Sequence, residues 1–322
     1  MSKLDTYLQT FKQYATPNLD ILLYQYDGGK SDYTIHISSI VHGNEVGSLP
    51  TVISVIEDLE QGNIEFGGKI HITLGNPEAS RLNRRFIHAD LNRLFLTTQP
   101  SEHQHTHEGQ RAHALMPWLN QCDIILDLHQ TMLPSATPFY IFPRTTLSIA
   151  IAEAIGGSKS YIDATPSEET PTYQCADEYV WRQGKPALTL ELGEMGFHSP
   201  AEQASSQAVL NLIHTMEKLR LQKVLTHSQE MLHTIQQWST GSLSNYHTVH
   251  RQPYLDSNWT LRPGLINFQL IQAGEQLHAT GTPELLSPCD GRLLFPKYPR
   301  RDSDGQVIET LPKEIYRIIQ EA

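Results

Sequence analysis

The sequence predicts an α/β protein, with a mixed, largely parallel sheet flanked by helices and a smaller β-rich C-terminal domain. Three observations predict it. Through roughly the first two hundred residues, short apolar runs alternate with amphipathic, helix-like segments, the pattern of strands joined by helical crossovers. Each apolar run ends in polar residues. Beyond Gly241 the texture changes to short segments such as HTVHRQPYL, INFQLI and GRLLFP, separated by Pro, Gly and Asp clusters, which suits a small β-rich unit. A domain at 1–240 and a second at 241–322 are therefore expected, and 322 residues are enough for a sizeable core.

The elements follow in order. DYTIHISSIV from Asp32 is rich in Ile, Thr and Val and reads as a strand stopping near Val41. LPTVISVIEDLEQG reads as a helix closed by Gly62. GKIHITLGN from Gly68, CDIILDLH from Cys122 and PALTLELG from Pro186 supply further strands. SPAEQASSQAVLNLIHTMEKLRLQ opens a helix with Ser199 as N-cap, Pro200 at the first helical position and Glu202 at the capping-box position.

Charge narrows the function. With 35 acidic against 24 basic residues and a formal charge of -11, nothing argues for nucleic acid or another polyanion as partner. A small, locally recognised substrate fits better. Cys122, Cys175 and Cys289 lie far apart in neither a metal-ligand nor a disulfide spacing, which points to buried thiols in a reducing compartment. MSKLDTYLQTFKQY has no apolar signal region, and no stretch approaches the roughly 18 apolar residues of a membrane span. The expectation is a soluble cytoplasmic protein with no membrane partner; a homo-oligomer is left open.

The chemistry starts at IVHGNEVGSL. If the first strand stops near Val41, His42 sits at its carboxyl end and Glu45 about one turn later, at the start of the next helix. An imidazole and a carboxylate supply two of the three protein ligands of a His-His-Glu catalytic zinc site, whose fourth position stays open for water. The best third ligand is His129 in ILDLHQT, which again follows an apolar strand, with Asp127 two residues earlier on the same face to orient it. Parallel strands present their carboxyl ends along one edge, where open α/β sheets place their ligand crevice. Glu191 in TLELGEMG shares that placement and reads as a general base; Glu194, three residues on, is its competitor. A lone H-x-x-E arises often by chance, so the argument lies in the strand-end geometry that these sites share.

Two polar stretches complete the reading. NRRFIHADLNRLF places Arg84, Arg85, Asn92 and Arg93 in a loop, and guanidinium forks suit an anionic substrate. EHQHTHEGQRAH concentrates His103, His105, His107 and His113, read as a solvated segment rather than a metal tract. The spacing argues against a thiol mechanism, because Cys122 begins the strand that His129 ends, about seven residues away at roughly 3.3 Å each.

HGNE, DLNRLF, DLHQT and LELG, in this order, resemble the succinylglutamate desuccinylase and aspartoacylase family, whose core is similar to that of zinc carboxypeptidases. The likeness covers roughly positions 33 to 200, and more loosely the β-rich tail. It implies a metal-dependent hydrolase that splits the amide of an N-acyl amino acid, with one Zn2+ per subunit held by His42, Glu45 and His129 and with Glu191 activating water. Arg85 matches the arginine that polarises the scissile carbonyl and stabilises the oxyanion. Asn92 and Arg93 match the pair that grips a substrate carboxylate. Arg182 is expected as a second carboxylate-binding arginine, and Tyr298 as a tyrosine reaching in from the C-terminal domain. There is one departure: bacterial succinylglutamate desuccinylases carry an arginine just after DLH, whereas this chain continues QTMLPSATP with no basic residue before Arg144. That is nearer the aspartoacylase-like form, and it leaves the acyl group open. Two other readings stand beside it, a zinc carboxypeptidase acting on peptides and a catalytically idle metal-binding protein of the same fold.

Overall fold

The computed structural model describes residues 2–166, 173–225, 227–303, 306–308 and 311–322. Its strands are β1 (Leu22–Asp27), β2 (Thr34–Ser39), β3 (Lys69–Leu74), β4 (Ile124–Thr131), β5 (Phe139–Phe142), β6 (Ser160–Asp163), β7 (Ala187–Glu194), β8 (Ser244–Pro253), β9 (Leu270–Ile271), β10 (Gly291–Leu294) and β11 (Glu314–Glu321). They form one sheet in the order β1-β3-β2-β4-β7-β5-β6-β8-β11-β10-β9. The centre, β3-β2-β4-β7, is parallel throughout. β1 and β5 add antiparallel neighbours, and β8 to β11 continue the sheet as an antiparallel set.

The central strands are buried on both faces, which is why they read as near-continuous apolar runs rather than alternations. One face packs against helices Lys3–Tyr14, Leu49–Glu60, Thr146–Ile155, Ser199–Leu221 and Ser228–Trp238 through Phe11, Ile56, Ile151, Leu212 and Ile235. The other face is covered by helices His107–Gln121 and Ala176–Trp181 through Leu115, Leu119 and Val180. Residues 254–318 have an apolar cluster of their own, centred on Leu261, Leu277, Leu293 and Ile318. A smaller cluster joins the two parts, with Phe139 and Ile162 packed against Tyr246, Phe268, Leu294 and Ile319. Among the described residues, no helix is long and apolar enough to cross a membrane.

Two local expectations need correction. Helix Ser199–Leu221 takes His198 rather than Ser199 as its N-cap, with no side-chain cap. The His198 carbonyl already accepts from Glu202 N at 3.1 Å, which draws Ser199 and Pro200 into the first turn and leaves no capping box. β2 ends at Ser39 rather than near Val41, because Ile40 adopts φ 45° and breaks the ladder. Glu45 therefore lies in a turn, and the next helix begins only at Leu49. The histidine-rich stretch is also mostly helical, within Ser101–Gln104 and His107–Gln121, with His103 and His107 half-buried and His105 and His113 exposed.

Candidate active site

β2 and β4 lie side by side and parallel, so their carboxyl ends share one edge of the sheet. Past β2 the chain turns at Ile40, whose left-handed backbone is unusual for a β-branched residue. Donation from Gly75 N to Ser39 O and from Asn76 N to Ile40 O, each at 2.8 Å, holds the kink to the segment after β3. The turn that follows carries His42 and Glu45 into the interior, where both are buried.

There they meet His129 near the end of β4. Glu45 Oε1 lies 2.8 Å from His42 Nδ1, and its Oε2 lies 2.8 Å from His129 Nδ1. The two Nδ1 atoms are 3.2 Å apart. Each ring turns its other nitrogen to a carboxylate, His42 Nε2 to Asp90 Oδ1 at 3.0 Å and His129 Nε2 to Asp127 Oδ2 at 2.9 Å. Such outer carboxylates orient the ring and raise the basicity of the nitrogen that faces a metal.

Among the described residues, His42, Glu45 and His129 are the group of three able to hold a metal ion; the histidines at 103–113 form no such group. Zinc bound by nitrogen and oxygen at about 2.0–2.1 Å sets tetrahedral ligand atoms roughly 3.3 Å apart. Taking one atom from each residue, the ligand atoms lie within 4.8 Å of one another, with a different Glu45 oxygen turned to each histidine, and the donor set suits the ion.

Charge in the group is strongly coupled. Burial alone would raise the Glu45 carboxyl, but attraction to His42 and His129 holds it well below the usual carboxylate range. Burial likewise opposes a charged His129, yet Asp127 and Glu45 outweigh it and lift His129 well above the usual histidine range.

Glu191 stands in register with His129 on the adjacent strand β7. Its Oε2 is shut off from solvent without a hydrogen-bond partner. Burial first, then repulsion from Glu45, pushes its carboxyl up to about 8 against the opposing pull of His129 and Arg85. Glu194 is exposed at the strand end. Arg85 donates from Nη1 to Glu45 Oε1 at 3.3 Å and from Nε and Nη2 to Asp90 Oδ2 at 3.2 and 3.1 Å.

The structure brings Asn92 beside the group, its Nδ2 3.4 Å from His129 Nε2, while its Oδ1 accepts from Ala176 N at 3.0 Å. Arg93 turns its Nη1 to Asn92 O at 2.6 Å and to Cys175 Sγ at 3.0 Å, with its guanidinium 5.5 Å from the Tyr173 ring. Arg182 pairs with Glu178 one turn earlier, at 2.7 Å. Tyr298 donates to Arg262 O at 2.6 Å and packs on the C-terminal cluster. Among the described residues, Tyr298 makes no hydrogen bond to the metal group. Burial lowers the ammonium of the neighbouring Lys297 against the pull of Glu314, and repulsion from Arg317 and Arg85 adds to the lowering.

Asp90 and Gln130 escaped the sequence reading. Gln130 N donates to Glu45 Oε2 at 3.0 Å, and its Oε1 accepts from Gly47 N at 2.7 Å and Gly196 N at 3.3 Å. It thereby ties the Glu45 turn to the segment after β7. Asp90 stands two residues before Asn92 inside a motif already singled out, and that carboxylate was the available signal. Gln130 stands in DLHQT directly after His129, a motif in which the sequence reading gives roles only to His129 and Asp127.

A model of the succinylglutamate desuccinylase/aspartoacylase catalytic domain matches residues 31–220. A probable aspartoacylase of Parasynechococcus marenigrum (strain WH8102) is 29% identical over 122 residues, 36% of this chain and 40% of that protein. The succinylglutamate desuccinylase of Serratia proteamaculans (strain 568) is 26% identical over 166 residues, 49% of this chain and 50% of that one. The matches thus span half or less of the length of these curated relatives. The crystal structure of succinylglutamate desuccinylase from Vibrio parahaemolyticus superposes with a TM-score of 0.67 at 18% identity, over 93% of this chain and 86% of that one. Murine aminoacylase 3 gives 0.59 at 17% identity, over 90% and 96%. These structural likenesses show the fold.

Proposed function

Because the chain belongs to the succinylglutamate desuccinylase/aspartoacylase family of hydrolases, we propose that it is a zinc-dependent enzyme that cleaves the amide of a small N-acyl amino acid. The observation that carries this is the meeting of His42, Glu45 and His129 at one strand edge, with Glu191 in register beside His129.

His42 Nδ1, His129 Nδ1 and a Glu45 oxygen would hold the ion. Zinc bound there supplies Lewis acidity toward water and the scissile carbonyl. Glu191 Oε2, unpartnered and dry, takes a proton from the attacking water and returns it to the departing amine. Arg85, steadied by Asp90, presents its remaining donors to the oxygen on which charge develops. Asn92, Arg93, Arg182 and Tyr298 are proposed to recognise the substrate, and in their present contacts Asn92 supports this role best. Three free thiols support a cytoplasmic setting.

We also propose that residues 1–240 carry the chemistry and 241–322 form a unit that covers the crevice. Asn267 supports it, donating from Nδ2 to Leu133 O at 3.3 Å and Pro134 O at 3.2 Å in the loop after β4.

The test is a screen of the zinc-loaded chain against N-succinyl, N-acetyl and longer N-acyl forms of glutamate, aspartate and neutral amino acids, following amine release, with peptides as the control. Cleavage of one N-acyl class and not of peptides is expected. Release of C-terminal residues from peptides would favour a carboxypeptidase, and no hydrolysis at all would favour an idle metal-binding protein. Glu191→Gln should keep its zinc and lose turnover by about two to four orders of magnitude; near-normal activity would remove Glu191 from this role.

A further inference from the structure

The histidine-rich stretch at 103–113 supplies no metal group, yet it contains a carboxylate bound on every side. Glu108, the second residue of helix His107–Gln121, is fully buried. Its Oε1 accepts from Ile87 N at 2.7 Å and Asn76 Nδ2 at 3.0 Å, and its Oε2 from His88 N at 3.0 Å and Ala89 N at 3.1 Å. Three consecutive amides of one loop thus close around a single side chain.

That loop joins Arg85 to Asp90, the two residues that meet at the edge of the metal group. Its near end is tied as well, since Arg85 O accepts from Gly43 N at 3.0 Å in the turn between His42 and Glu45. Asn76, the fourth donor to Glu108, caps helix Pro77–Arg81 by accepting from Ala79 N at 3.2 Å. The loop has no ladder of its own to fix it. A buried acceptor with two oxygens and four donors does so instead.

We propose that Glu108 is a positioning residue, which holds the amides of Ile87, His88 and Ala89 so that Arg85 and Asp90 keep their places beside His42 and Glu45. The role rests on the hydrolase reading only where it refers to turnover. The chemistry is specific to a carboxylate: it accepts only, whereas a glutamine in its place would set an NH2 group against inward-pointing amides. Burial works against the charged form, and the amide and Asn76 bonds more than offset it, leaving the Glu108 carboxyl below its ordinary range.

The experiment uses the zinc-loaded full chain and Glu108→Gln, with Glu108→Asp, which keeps the charge, as the milder variant should the first fail to fold. Hydrogen exchange at residues 86–90 should quicken by an order of magnitude or more in Glu108→Gln, while β4 and β7 stay protected and zinc content is unchanged. Turnover on the substrate found in the screen should fall about 100-fold, mostly in kcat. The same substitution in an Arg85→Ala, Asp90→Asn background should cost little more at saturating zinc, since a residue acting through those two cannot lose that role twice. Glu108→Asp should recover part of both readouts. Unchanged exchange at 86–90, or a full further loss in the Arg85→Ala, Asp90→Asn background, would overturn the proposal. Should the unmodified chain split no substrate, the hydrolase reading fails alone, and exchange at 86–90 still decides the placement.

Discussion

Asp90 is shared by His42, which donates from Nε2 at 3.0 Å, and by Arg85, which donates to the other oxygen at 3.1 Å. Burial would raise its carboxyl, but His42, Arg85 and Arg93 together hold it far below the usual range. One side chain thus sets the orientation of a candidate metal ligand and of the candidate oxyanion donor. Asp90→Asn keeps the shape and removes the charge. We expect zinc affinity to fall about 10- to 100-fold, as for other groups that orient a ligand, and turnover to fall with it at saturating zinc. Chelator competition measures the first and steady-state kinetics the second; an unchanged zinc affinity would mean that His42 is oriented by the backbone alone. Glu191 raises a different issue. Its position follows from β-strand register, one ladder step from His129, and a carboxylate there is costly to ionise while Glu45 is negative, which suits a group that must both take and release a proton.

At the level of elements, close approach decides more than propensity. A Cβ on Gly43 would lie 2.5 Å from the carbonyl carbon and Cβ of Ala79, so helix Pro77–Arg81 can approach the His42 turn only because residue 43 is glycine. Gly43→Ala should destabilise the chain by about 1–3 kcal/mol and reduce turnover beyond what the lost stability explains, since Gly43 N also holds Arg85 O. Urea unfolding and kinetics on the same preparation would show both. β2 and β3 make a second point. His36 and His71 are register partners inside the sheet, and the Nδ1 of each lacks a hydrogen-bond partner. Burial first, then repulsion from His71 with Asp127 opposing, lowers His36 to about 3; burial and then Lys69 lower His71 to about 4. Above pH 6.5 both states hold these rings neutral. As pH falls below that, the unfolded chain takes up protons that the folded chain refuses, so stability declines by up to about 1.4 kcal/mol per pH unit for each ring. Between pH 6.5 and 4.5 the urea midpoint should drop, and His36→Gln should remove about one ring's share of the slope. Glu191 and Asp177, both raised by burial, add the opposite slope there, so the deciding comparison is with His36→Gln, and a slope that this substitution leaves unchanged would contradict the burial of His36.

At the scale of the whole molecule, the loop after β4 is fastened to residues far along the chain. Asn267 is a hub of that contact: its carbonyl oxygen accepts from Ala136 N at 2.9 Å, its Oδ1 from Phe295 N at 2.7 Å, and its Nδ2 reaches Leu133 O and Pro134 O. Asn267→Ala keeps the backbone bonds to Ala136 N and Pro134 O but leaves Phe295 N without its acceptor, and should cost about 1–3 kcal/mol, with zinc content retained. Removing zinc should act on the whole fold through linkage: chelation should lower the melting temperature and restored zinc should recover it, by an amount that grows with free zinc. A melting temperature indifferent to chelator would count against a metal at His42, Glu45 and His129. The α/β class and the alternating order of elements were legible in the sequence because burial on both faces writes itself as runs of Ile, Leu and Val, a pattern confined to neighbouring residues. His42, His129 and Glu191 stood out for the same reason, each being a polar side chain at or near the end of such a run. Tertiary structure alone decided what surrounds them. The pairing of Asp90 with His42, the hold of Glu108 on a loop some twenty residues earlier, the tie from Gln130 to Gly47, and the engagement of Tyr298 with Arg262 depend on how segments pack. Period and propensity describe one chain segment at a time, whereas a buried polar atom takes whichever partner the fold brings within about 3 Å of it.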